Sequence, residues 1–213
     1  MAEQIIEFNI QQAAEEEAGS GCLRSVLASR ADQVARIVDL PEGEAEEKLL
    51  EFVIRYIEDA PKMLNDLEDA AEEAGLADFV EPIVRIAREF FTMPPAELQD
   101  ASGLTSLMYE AYLAHRMLEE VNETYINQMG QPLTPMDMTL SNVIIHTLIG
   151  EPFANDLDDI TTATVSRLFG RDNPYGSADF KSFISKQSAN NLVHIWRKWP
   201  SMSGEMGLLS NLL

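Results

Sequence analysis

The chain has 213 residues, 46% hydrophobic and 24% charged, which suits one domain with a core of its own and leaves too little length for two full ones. With 36 acidic against 15 basic residues the net charge is −21, a balance that repels a phosphate backbone and argues against direct nucleic-acid binding. No apolar run approaches the roughly 18 residues of a membrane span; the best stretch, 143–149, is interrupted by His146 and Thr147, so no membrane partner is expected.

The single cysteine, Cys22, can form no internal disulfide and has no neighbour at zinc-ligand spacing. The first residues carry Glu3 and Glu7 among Ile5, Ile6 and Phe8, without the basic region and apolar core of a secretory signal. Both features point to the cytoplasm. The acidity is uneven: residues 1–100 hold 24 acidic and 8 basic side chains, residues 101–213 hold 12 and 7, and the stretch 166–200 is locally basic by +4.

Residues 1–22 are expected to be a flexible or partly ordered lead-in, because Gln11, Gln12 and Glu15–Glu17 run into the breakers Gly19, Ser20 and Gly21. Residues 23–200 are expected to form a single all-α domain, an antiparallel helical bundle of seven or eight helices. A first helix runs from Leu23 toward Pro41. The stretch Glu42–Ala60 has a one-sided stripe of Leu49, Phe52, Val53, Tyr56 and Ile57 opposite Glu46, Glu47, Glu51 and Glu58. Pro61 is placed to open a separate helix that Gly75 ends, and Asp78 with Glu81 has the spacing of a capping box before a helix that stops at Pro94 and Pro95.

The longest helix is expected over Gly103–Met129, with Gly130 and Pro132 after it. Thr134, Pro135 and Asp137 resemble a helix start, and the helix to Ile149 is apolar on nearly all sides, which assigns it to the middle of the bundle. A helix over Phe153–Phe169, a loop, and a last long helix over Ser177–Trp199 follow. The apolar tail, residues 201–213, is expected to dock on the domain or on a partner.

Signature motifs for common enzymes are missing: there is no glycine-rich phosphate loop, nucleophile elbow or paired-cysteine site. A di-iron bundle needs Glu three residues before His, but Tyr112, Val143 and Asn191 precede His115, His146 and His194. His115, Glu119 and Glu123 share one helical face and form a weak metal candidate; no cofactor is expected.

Two functional readings follow from the remaining polar residues. His115 and Asn122 lie on the apolar stripe of one helix, Asn142 and His146 one turn apart on the next, and Tyr112 or Tyr125 could add a hydroxyl, so these six could line the pocket of a small-molecule-binding domain or enzyme. The leading reading is instead a non-enzymatic interaction or regulatory protein, presenting Glu46, Glu47 and Glu51 to a basic protein partner. Trp196, Arg197, Lys198 and Trp199, followed by the tail, are the expected contact for a partner or a homodimer. A third reading has the acidic half imitate nucleic acid to occupy a DNA-binding protein.

Overall fold

The computed structural model describes residues 2–98, 100–130, 132–134, 136–169, 174–187 and 201–211. Among them the fold is all-α: nine helices, eight of them long, with two isolated β-bridges and no strands. They are α1 (Ala2–Ser20), α2 (Cys22–Val34), α3 (Ala45–Glu73), α4 (Ala77–Glu89), α5 (Gly103–Met129), α6 (Thr139–Ile149), α7 (Phe153–Phe169), α8 (Ala178–Gln187) and the short α9 (Met202–Glu205). None of the described helices is long and apolar enough to cross a membrane.

The centre of the bundle is α5, which packs against α1, α2, α3, α4, α6 and α7. Its apolar residues are spread widely enough to bury Leu107, Met108, Ala111, Leu113, Ala114, Met117, Leu118 and Val121 together. Helix α6, expected in the middle, lies to one side with Val143 41% exposed. Apolar composition alone does not choose the central helix; α5 is more than twice as long and offers contact surface to more neighbours.

Residues 2–20, within the stretch expected as a flexible or partly ordered lead-in, are helical. Ile6, Ile10 and Ala13 make a narrow buried stripe by which α1 contacts α3 and α5. Glu17, also buried, crosses the left-handed Gly21 (φ 61°) and accepts hydrogen bonds from the Leu23 and Arg24 amides, both 3.0 Å. A carboxylate there satisfies two amides without helical partners and lies at the positive end of the helix dipole.

Helix α3 continues through Pro61 for 29 residues, correcting the expectation of two helices. Proline inside a helix costs about 3 kcal/mol. Continuing the helix buries Met63, Leu64, Leu67 and Ala71 on the same face as Phe52, Val53, Tyr56 and Ile57, and each large side chain contributes roughly 1.5–3 kcal/mol, so burial wins. The Asp78–Glu81 capping box is not formed: Leu76 occupies the cap position of α4 and makes no side-chain cap bond.

Helix α6 begins at Thr139, where the Asp137 carboxylate accepts from the Thr139 amide at 3.0 Å, later than Thr134 and Pro135 suggested. Asn122 of α5 takes the Thr134 group out of capping: its Oδ1 accepts from the Leu133 and Thr134 amides (2.9 and 3.0 Å) and its Nδ2 donates to the Thr134 carbonyl and hydroxyl (3.2 and 2.8 Å).

The segment 201–211 packs back on the domain. Met202 and Leu208 are buried, the Asp39 amide donates to the Leu209 carbonyl (3.0 Å) and the Asn211 amide to the Ile37 carbonyl (2.8 Å).

Candidate functional site

Two regions contain the residues singled out from the sequence: a polar network between α3, α5, α6 and α7, and an acidic trough along α3. In the network, the Tyr56 hydroxyl donates to Asn142 Oδ1 at 2.7 Å and Asn142 Nδ2 donates to Glu119 Oε2 at 2.6 Å. Glu119 also pairs with Arg116, whose Nε donates to Asp158 Oδ1 at 3.0 Å. The Tyr112 hydroxyl donates to the same Asp158 oxygen at 2.7 Å. His146 closes the chain, with Nε2 3.1 Å from Asn155 Oδ1 and 3.5 Å from Asp158 Oδ2.

His115 stands beside this chain. Its Nε2 lies 2.9 Å from the Tyr56 carbonyl and its ring centroid 4.2 Å from the Tyr56 ring. Burial pushes its pKa down to about 4, against the partial offset of that backbone bond. Burial likewise raises the Tyr56 phenol well above its ordinary value, with the neighbouring Tyr112 and the Glu119 carboxylate adding to it, and raises Tyr112, which also donates to Asp158. Burial works against the Arg116 guanidinium, but the Glu119 and Asp158 carboxylates outweigh it and hold the group charged. The network therefore contains neutral phenols and a firmly charged arginine paired with three carboxylates, Glu119, Glu120 and Asp158, and a neutral His115 lies against it.

The structure thus brings Tyr112, Asn142 and His146 into one network and sets His115 against it. Asn122 serves the loop clamp instead. Tyr125 belongs to an aromatic group with Tyr175 (6.5 Å) and Phe180 (6.3 Å), where burial pushes the Tyr175 phenol up to about 12. Asp158, Arg116 and Glu119 join the network together; the sequence offered Glu119 only as a metal candidate, Arg116 reads there as a solvated charge, and Asp158 arrives from another helix, without a local signal. Among the described residues no group of three His, Cys, Asp or Glu side chains could hold a metal ion. In particular His115, engaged by Tyr56, does not converge with Glu119 and Glu123.

The second region lies on the outer face of α3. A hollow of about 560 Å³ is lined by Glu47, Leu50, Glu51, Ile54, Arg55 and Glu58, with Glu205 and Met206 from the C-terminal segment as its far wall. A second hollow of about 530 Å³ runs between α3 and α1 and is lined by Glu58, Pro61, Lys62, Glu7, Ile10, Gln11 and Ala14. Glu58 is the residue they share, so the two hollows adjoin along α3, together an acidic trough lined by five carboxylates against two cations. Arg55 is drawn off by Asp59 at 2.8 Å, whereas no ion pair among the described residues engages Glu58 or Glu205.

Glu46 and Glu47 share one cation, Arg24 Nη1, at 3.2 and 2.7 Å, and Glu51 pairs with Lys48 at 2.9 Å. These contacts are solvent-exposed and weak, so the edge keeps a surplus of negative charge. Glu58 was visible in the sequence as part of the wet face of α3; Glu7 and Glu205 come from distant parts of the chain. Trp196, Arg197, Lys198 and Trp199 lie outside the described residues. Comparison of the chain with protein-family models, with curated proteins and with solved structures returns no match.

Proposed function

We propose that this chain is a non-enzymatic interaction protein of regulatory type, acting in the cytoplasm, whose acidic α3 face receives a basic segment of a partner protein. The observation that carries the reading is the trough itself: five carboxylates around half-buried Ile54, with Leu50 and Ile10 buried beneath, and, among the described residues, a single cation, Lys62, left outside ion pairs. Clefts lined by one sign of charge against low-dielectric walls raise the local concentration of oppositely charged partners and speed their encounter. The polar network adds support from the other side, because its side chains are paired to one another and leave few groups to act on a substrate.

The test is capture of binding proteins by the immobilised wild type and by a Glu46→Lys, Glu47→Lys, Glu51→Lys variant at low and high salt. The expected result is a basic partner retained at low salt, released at high salt and lost on charge reversal. A partner held equally by both forms contradicts the reading, as does a thermal shift with a metabolite that His146→Ala abolishes.

A further inference from the structure

From the shape of the α3 trough we infer that its occupant is a basic amphipathic helix, laid along α3 with its apolar stripe on the half-buried Ile54 and Met206 above Leu50 and its lysines or arginines against Glu51, Glu58 and Glu205. This inference rests on the proposed acidic interaction surface and specifies what that surface binds.

Backbone chemistry selects a helix over an extended strand. An added strand binds through a row of unpaired amides and carbonyls at a sheet edge, and the trough has no such row to offer, because its floor is a helix whose backbone groups, the Ile57 carbonyl opposite Pro61 apart, are bonded to one another. A helical occupant brings its own backbone already satisfied and needs only side-chain contacts. The length agrees: from Glu47 to Lys62 the trough follows α3 for about 22 Å, or about four turns. Leu50 and Ile54 are one turn apart on α3, and Glu51 and Glu58 lie on the same outer face two turns apart, so apolar and acidic rows run parallel to the helix axis. That arrangement complements a helix with apolar residues at three- and four-residue spacing and cations flanking them.

The C-terminal segment supplies one wall. Glu205 and Met206 are positioned by Ser201, whose Oγ accepts from the Gly204 amide at 3.1 Å, and by the Ser203 amide donating to Ser141 Oγ at 3.3 Å. Met206 is half-buried, and its flexible thioether can adapt to an incoming apolar side chain.

The experiment uses a fluorescently labelled peptide of about 16 residues, the length of the trough, with leucines at three- and four-residue spacing and lysines elsewhere, beside a scrambled peptide of the same composition. Binding to the full chain is followed by anisotropy at low and high salt, and peptide helicity by circular dichroism. The patterned peptide is expected to bind at low salt and gain helicity, with Glu58→Lys and Met206→Asp each weakening it by about tenfold and Glu72→Lys, at the far end of α3, by less than about twofold. Equal binding of the scrambled peptide, binding without gain of helicity, or equal losses from Glu58→Lys and Glu72→Lys would overturn the helix-in-trough inference while leaving a diffuse acidic surface intact. If neither peptide binds at low salt, the acidic interaction reading falls with it.

Discussion

The Nε2 atom of His115 and the carbonyl oxygen of Tyr56 are 2.9 Å apart, inside the interface between α5 and α3, where His115 is 1% exposed. The carbonyl can only accept, so Nε2 carries a proton. Burial holds its pKa at about 4, below the ordinary 6.5. Between those values the unfolded chain binds a proton that the folded chain refuses, so stability from this residue is complete above pH 6.5 and is lost as the pH falls toward 4. The loss should approach about 3 kcal/mol at the acid end. Urea titrations across this window should show a steeper decline for wild type than for His115→Gln, and parallel declines would contradict the assignment.

Asn142 accepts from the Tyr56 hydroxyl and donates to Glu119, whose carboxylate Arg116 also holds. Its replacement by Ala strands the buried Tyr56 hydroxyl and takes one donor from Glu119, and should cost about 2–3 kcal/mol, against about 1 kcal/mol for Tyr56→Phe, which removes one hydroxyl and leaves Asn142 its Glu119 bond. Because both changes break the same contact, the double variant should be less destabilised than the sum by roughly 0.5–1.5 kcal/mol. Additive losses in chemical denaturation would show that the network is not coupled as the distances imply.

Glu17 links α1 to the start of α2 through the Leu23 and Arg24 amides. Glu17→Ala should destabilise the fold by about 1–2 kcal/mol and speed hydrogen exchange at those two amides before it affects α5. Unchanged exchange there would mean that α2 is capped in some other way.

Helix identity was legible from the sequence wherever local signals agreed with packing. Gly103–Met129 and Phe153–Phe169 are helices over the residues expected, and α5 is closed by Gly130 at φ 70°, the left-handed conformation that glycine adopts freely. Reading failed where a long-range contact overrode a local preference. Pro61 reads as a helix start, yet the buried face extends beyond it; Thr134 reads as a cap, yet Asn122 holds its amide; Glu15–Glu17 read as solvated, yet Glu17 is buried by its task at α2.

The candidate sites divide in the same way. That Tyr112, Asn142 and His146 share a neighbourhood followed from their positions on facing helices, but the groups that connect them are charged: Arg116 and Glu119 pair one turn apart on α5, and Asp158 reaches Arg116 only through the packing of α7 on α5. The trough was half legible, as the wet row of α3. Its walls come from α1 and from residues 205 and 206, and no periodicity within α3 announces them.

The most direct test of the account is amide chemical-shift mapping of the isotope-labelled chain titrated with its captured basic partner or with the patterned lysine–leucine peptide. The account predicts shifts concentrated on Glu47–Lys62 and on Glu205 and Met206, suppressed by salt. Shifts spread evenly over the acidic surface, or centred on His146 and Asp158, would contradict it.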